Sequence, residues 1–343
     1  MLNIVFWGQE RHMNSGLEAG VSGNAIRCSV IQNIDVDMQA SALGYEGWGQ
    51  RYDQLSAGRF QGSIHEIKLP AFTLMRETSN RVLLQKGCTP RGIFAIGTVM
   101  GLAEHGYHCG EIMRPRSAAL LDPSTEFEIR TPERFDLVAA VFSPEDLCAN
   151  LGDPGVDYRE LENELLNSSK TIESDCTAAL ADFLLRAFET SQESPERLFI
   201  ASNQKQLAEE FYGLLTETIG TGQANQARGL CPNRERIVRR VRSFLDANPE
   251  SALSITDICD EVGVTRRTLQ NAIQEVFGIS PQHYLKAIRL NGFRRALKAC
   301  SPAVSIGDVA ARWGFWHLSQ LAQDYRRLFG ELPSETRLRC LNA

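Results

Sequence analysis

Between Arg266 and Gln274, five polar side chains, Arg266, Arg267, Gln270, Asn271 and Gln274, stand among Leu269, Ile273 and Phe277, whose spacing marks one apolar helix face. An arginine fork can bond guanine O6 and N7 together. A Gln or Asn carboxamide can do the same to adenine N6 and N7, so the set suits base edges in a major groove. A second stretch offers His317, Ser319, Gln320 and Gln323 around Leu321, Tyr325 and Phe329. It carries fewer cations and would read bases less forcefully. A merely solvated helix face would also be polar, but richer in Glu and Lys; here the acids fall at Glu275 and Asp324, near each helix middle.

These side chains need rigid elements, and the chain writes those elements twice. "SITDICDEVGV" (254–264) returns as "SIGDVAARWGF" (305–315), 51 residues downstream. Ile255, Ile258 and Val262 recur as Ile306, Val309 and Trp313, each set one face of a short amphipathic helix. Ser254 with Asp257, and Ser305 with Asp308, have the N-cap and N3 spacing of a capping box. Gly263 and Gly314 end these helices where a positive φ costs little. The second helices match at an offset of 52, so the second copy has one extra residue in or near its turn. Gly278 and Gly330 close them, with Pro281 and Pro333 three residues beyond. The pattern predicts two helix-turn-helix units; a duplicated hairpin used only for packing is the plainer alternative.

Ser280 as N-cap and Pro281 at the first helical position start a long helix between the units. Its apolar positions are Leu285, Ile288, Phe293 and Leu297, and Lys286, Arg289, Arg294, Arg295 and Lys298 coat the rest. "RERIVRRVRSFLDANPE", with Ile237, Val241 and Leu245 on one side, is a further basic helix ahead of the first unit. Phosphate contacts are the expected role of some of these cations, and ordinary solvation that of others. Residues 233–343 hold 17 Lys+Arg against 11 Asp+Glu, whereas residues 1–232 hold 19 against 31. A basic module on an acidic body is an electrostatic footprint of nucleic-acid binding.

Asn233 to Arg339 resembles the DNA-binding domain of the AraC/XylS transcription regulators. The stretch "GFWHLSQLAQDYRRLFGELPSETR" carries the likeness, with Gly314, Phe315, Tyr325, Phe329, Gly330 and Pro333 at signature positions. Tyr325 stands where the family usually has Phe, and Ile273 near where it usually has an aromatic residue. The resemblance implies two helix-turn-helix units bridged by a long helix. It places base reading at Arg266, Arg267, Gln270 and Asn271 in the first unit and at Ser319, Gln320 and Gln323 in the second. It further implies duplex DNA, RNA polymerase and a small-molecule effector as partners, a homodimer, and activation of a catabolic operon.

The remaining two thirds then reads as a sensor. Strand-like runs at 62–76 (split at Pro70), 82–85, 93–99, 118–121, 126–130 and 137–142 predict a small barrel or jelly roll. Helical patterns follow at 177–189 and 196–218, the place of a dimer contact by resemblance. The expected fold is α+β, a β-rich barrel-like or jelly-roll-like sensor with C-terminal helices followed by an all-α double helix-turn-helix domain. Its expected divisions are a poorly defined segment 1–40, a sensing domain 41–219, a linker 220–232 and a DNA-binding domain 233–343. The stretches 48–69 and 124–147 resemble the ethanolamine-utilisation operon activators, which points to ethanolamine as effector and adenosylcobalamin as co-effector.

Other function classes have weaker support. His105, His108, Cys109 and Glu111 cluster in "EHGYHCGE", so a metal-dependent small-barrel enzyme fused to a DNA-binding module is a rival; the spacing is not that of the barrel-enzyme motif, and no metal site and no enzyme is the expectation. An N-terminal domain that only dimerises is a second rival. No P-loop, dinucleotide glycine pattern or G-x-S-x-G appears. The nine cysteines include no C-x-x-C pair, the longest nearly uncharged apolar run (92–103) is too short to cross a bilayer, and the N-terminus lacks the pattern of a secretory signal. A cytoplasmic protein is expected.

Overall fold

The computed structural model describes residues 27–42, 48–101, 105–153, 155–168, 170–222, 232–251 and 253–341. Their strands are β1 (Arg27–Asn33), β2 (Gly49–Gln54), β3 (Gly62–Lys68), β4 (Thr73–Ser79), β5 (Leu83–Cys88), β6 (Phe94–Val99), β7 (Gly106–His108), β8 (Glu111–Met113), β9 (Ala118–Leu121), β10 (Phe127–Arg130), β11 (Phe135–Phe142) and β12 (Thr171–Ile172). They form two antiparallel sheets, one ordered β1-β3-β4-β11-β6-β9-β12 and one ordered β2-β5-β10-β7-β8. The β-rich N-terminal fold is therefore present, followed by an all-helical C-terminal domain.

Period-two alternation decides what each sheet face meets. On β11, Phe135, Leu137 and Ala139 join Met75 of β4 and Phe127 and Ile129 of β10 in a core between the sheets. Val138, Ala140 and Phe142 point the other way, into a core with α2 (Pro144–Leu151), α3 (Tyr158–Leu166), α4 (Asp175–Glu193) and α5 (Ala201–Gly222). The outer face of the five-stranded sheet carries Leu84 into the core of the C-terminal domain, together with Leu55 and Val82. The layers thus run helices, sheet, sheet, helical domain.

Several expected boundaries shift. The segment expected to be poorly defined contains β1 and the short helix α1 (Val36–Ser41), whose N-cap Asp35 accepts from the backbone of Asp37 and Met38; residues 1–26 lie outside the described residues. The helix expected over 196–218 is divided into a 3-10 turn (Pro195–Phe199) and α5, with the break at Ile200, whose backbone is extended (φ −85°, ψ 117°). Helix α5 extends to Gly222, so the first three residues of the expected linker are helical; 223–231 lie outside the described residues. Helices α2 and α3 were not expected from periodicity, being only 8 and 9 residues long.

The C-terminal domain comprises α6 (Pro232–Ala247), α7 (Ile255–Val262), α8 (Arg266–Phe277), α9 (Pro281–Ala299), α10 (Ile306–Arg312), α11 (Leu318–Phe329) and α12 (Pro333–Leu341). Capping boxes form at both Ser254/Asp257 and Ser305/Asp308, and Gly263 and Gly314 take φ of 69° and 72°. The extra residue of the second copy lies in its turn, since α8 is capped by Thr265 and α11 by His317. Helix α9 is buried on more than the one face expected, with Tyr284, Leu290, Asn291 and Arg294 enclosed beside its apolar stripe. Its Gly292 admits the Trp313 ring, for a side-chain carbon there would lie 2.1 Å from that ring.

Candidate nucleic-acid interface

In each unit the apolar positions fix which side of the second helix faces outward. Leu269, Ala272, Ile273, Val276 and Phe277 of α8 are buried, which leaves Arg266, Arg267, Gln270, Asn271 and Gln274 exposed. Leu321, Tyr325, Leu328 and Phe329 of α11 are buried, which leaves Ser319, Gln320 and Gln323 exposed. The expected reading residues are thus all presented to solvent on their two helices. Arg266 is oriented from within its unit, its Nη2 donating to Thr256 Oγ1 at 2.7 Å. That leaves Arg267 as the cation of α8 with its guanidinium outward.

Two exposed apolar residues flank the second set and were not singled out from the sequence. Trp316 is 73% exposed and Leu318 52% exposed, on either side of the N-cap His317. The amphipathic pattern could have flagged them, because neither falls on the buried face of α11.

The cations of α9 are a different matter. Arg289 donates from Nη2 to the carbonyl oxygens of Trp313 (2.8 Å) and Gly314 (3.0 Å) and lies over the Phe315 ring, so it fastens the turn of the second unit. Arg294, 7% exposed, pairs with Asp35 (3.0 Å) and Glu331 (2.8 Å) and covers the Phe329 ring. Arg295 pairs with Asp53 at 2.8 Å, and Lys298 with Asp35 (2.5 Å) and Asp37 (2.6 Å). Lys286 pairs with Asp324 at 3.0 Å. The expectation of phosphate contact for some of these cations and solvation for the others is therefore corrected for the buried Arg294, while Arg289 is half-buried against the turn of the second unit and Arg295 and Lys298 are held against the β domain.

Helix α6 makes a further part of that interdomain surface. Arg242 pairs with Glu128 of β10 and lies 4.7 Å over the Phe277 ring. Asp246 receives Arg51 and Lys86, both at 2.7 Å, so the outer face of the five-stranded sheet is bound to α6 as well as to α9. Burial alone would raise the Asp35 carboxyl, but the Lys298 and Arg294 charges and hydrogen bonds outweigh it and hold the group well below the usual carboxylate range. Asp246 is lowered in the same way, Arg51 and Lys86 overcoming its desolvation.

The histidine-rich stretch becomes the β7–β8 hairpin, turned at Cys109 (φ 49°) and Gly110 (φ 84°). His108 is enclosed, its Nδ1 3.3 Å from Thr171 Oγ1, and burial pushes its pKa down to about 4. Among the described residues, no group of three or more His, Cys, Asp or Glu is placed to hold a metal ion.

Residues 258–339 match the sequence family described as a helix-turn-helix domain. The probable thc operon regulatory protein of Rhodococcus erythropolis is 36% identical over 100 residues, 29% of this chain and 30% of that protein. The XylDLEGF operon transcriptional activator of Pseudomonas putida is 33% identical over 110 residues, 32% of this chain and 33% of that protein. The chain thus spans about a third of the length of these relatives. A solved structure of a probable AraC family transcriptional regulator from Rhodopseudomonas palustris CGA009 is 32% identical, covering 30% of this chain and 96% of that one, with a TM-score of 0.29. Over this stretch the C-terminal domain is similar to the helix-turn-helix domains of operon transcription regulators.

Proposed function

We propose that the chain is a sequence-specific DNA-binding transcription regulator, an activator that responds to a small molecule, rather than an enzyme. The observation that carries this reading is the pair of capped helix-turn-helix units whose outward residues, Arg267, Gln270 and Asn271 on α8 and Ser319, Gln320 and Gln323 on α11, are left free of the interdomain contacts. Two reading helices on one chain suit a non-palindromic site of roughly two turns, with about 10 base pairs between the grooves read. Footprinting of the full-length protein on selected DNA tests it, and protection confined to a single half-turn would defeat the two-headed reading.

The β domain is the sensor in this proposal, and its grip on α6 and α9 supports that role because any rearrangement of the sheet face reaches both units of the reader. Ethanolamine, with adenosylcobalamin as co-effector, stays a candidate on the sequence resemblance of 48–69 and 124–147 alone. RNA polymerase as the activation partner, a homodimer, and a cytoplasmic location belong to the same proposal. Among the described residues no helix is long and apolar enough to cross a membrane.

A further inference from the structure

The two helix-turn-helix units differ where their second helices begin. Val264 and Phe315 are equivalent positions, because the Val264 N–H donates to the Cys259 carbonyl at 3.0 Å, the Phe315 N–H donates to the Ala310 carbonyl at 2.9 Å, and both side chains pack half-buried against the core of the domain. In the first unit the N-cap Thr265 follows at once, whereas in the second Trp316 intervenes before the N-cap His317. The extra residue of the second turn is therefore Trp316. Its side chain is turned to solvent, 73% exposed.

The first helical position differs as well. In the first unit it is Arg266, which reaches Thr256 of α7; in the second it is Leu318, whose Cδ1 would stand 3.8 Å from a side-chain carbon at Gly307 of α10. Leu318 is 52% exposed. From 318 to 324 the second reading helix has no Lys or Arg, so it offers the Ser319 hydroxyl, the Gln320 and Gln323 carboxamides and, at its start, the apolar Leu318 and Trp316. The apolar group that base edges present in a major groove is the C5-methyl of thymine, and a glutamine carboxamide pairs with adenine, its partner base. Both kinds of side chain thus call for the same base pair.

We infer that Trp316 and Leu318 are base-reading residues of the second unit, taking thymine C5-methyl groups in the major groove beside the adenines met by Gln320 and Gln323. The N-terminal residues of a reading helix are the ones that reach base edges. Trp316 and Leu318 flank that end of α11 and run on directly into Ser319 and Gln320, so the apolar patch is continuous with the polar reading set. The second unit then selects A·T pairs, and recognition of a G·C pair falls to Arg267 of the first. This inference rests on the reading of the chain as a sequence-specific DNA-binding regulator.

Deoxyuridine tests it, because it removes the methyl of thymine and leaves every hydrogen-bonding group in place. Duplexes are selected from random sequence with the full-length protein, and each thymine of the selected site is then replaced singly. In anisotropy titrations one or more replacements in one half of the site should weaken binding by about three- to fourfold, the worth of one buried methyl. The Trp316→Ala/Leu318→Ala double variant, both side chains being exposed, should bind the thymine and deoxyuridine duplexes alike. Arg267→Ala should keep the difference, since it acts in the other half. A selected site that is insensitive to deoxyuridine, or a sensitivity that survives the double variant, would overturn the inference while leaving the regulator reading in place; a dimer that falls to monomer in the double variant would then give the patch to a second copy of the chain. A protein that selects no duplex over random sequence overturns the regulator reading and this inference together.

Discussion

The Asn291 carboxamide of α9 bonds both backbone groups of Gln54 at the end of β2. Its Oδ1 accepts from the Gln54 N–H and its Nδ2 donates to the Gln54 carbonyl, each at 2.9 Å. A side chain of the reader thereby completes the edge of the five-stranded sheet as a neighbouring strand would. Gln54 answers with its own side chain, donating from Nε2 to the Leu328 carbonyl at 2.6 Å. One residue of the β domain therefore touches the helix that joins the two units and the end of the second reading helix.

Asn291→Ala should leave both Gln54 backbone groups unpaired in a buried junction, at about 1–3 kcal/mol for each group. Urea unfolding of the full-length chain would read the loss. A change below about 0.5 kcal/mol would mean that water replaces the carboxamide and that the junction is looser than these distances imply.

Base reading and phosphate contact separate by mutation. Arg267→Ala should cost about 1–3 kcal/mol on the preferred site and relax base choice there. Arg239→Ala, on the exposed side of α6, should weaken all sequences alike and lower the salt slope by about one if it meets phosphate. Arg294→Met should change stability and leave the salt slope alone, because that guanidinium is spent on Asp35, Glu331 and Phe329. Equal losses on specific and random DNA from Arg267→Ala would mean that the reading face is misassigned.

Glu77 of β4, buried between the sheets among Gln39, Gln85 and Tyr52, sets a pH dependence of definite sign. Its native pKa, raised to about 7 from 4.5, means that the folded chain holds this proton more tightly than the unfolded one. The contribution is full below about pH 4.5 and is lost as pH rises through 7, a span of about 3 kcal/mol. Unfolding free energies at pH 5 and pH 8 should therefore differ more for the parent than for Glu77→Gln, by an amount of that order. A smaller pH dependence in the parent would show that the carboxylate is stabilised by something not counted among its partners.

The reader was legible because its signals are local. Ser–Asp capping, a glycine at positive φ and a proline at the first helical position each act within a few residues, so both units, the extra turn residue and the start of α9 could be placed. The outward residues followed from the same periodicity. The junction was not legible, because Asp35, Gln54, Asp246 and Asn291 are isolated polar residues whose partners lie far away in sequence. Charge on α9 told that Arg294 and Lys298 are cations, but not whether a phosphate or a carboxylate faces them. Helix α1 has six residues, too few to show a period, and β1 exposes Val30 while burying Asn33, the reverse of the pattern that marks a half-buried strand.

The carboxylates on α1 should restrain the reader, and they can be tested without touching its cations. Asp37→Ala frees Lys298 and Arg295 from one partner, and Asp35→Asn removes a buried charge while keeping a side-chain oxygen that can still cap α1. If the closed junction competes with DNA for the reader, each variant shifts the equilibrium toward the open arrangement by the interaction it removes. For the half-exposed Asp37 that is about 0.2–1 kcal/mol, a rise of roughly 1.5–5-fold in DNA affinity without effector. Asp35→Asn should do more, since Arg294 would keep only Glu331. Anisotropy titrations at low salt would show both, with the gain shrinking as salt screens the exposed pairs. Affinities unchanged or lowered in both variants, with α1 still formed, would mean that the junction braces the reader in its binding arrangement instead of restraining it.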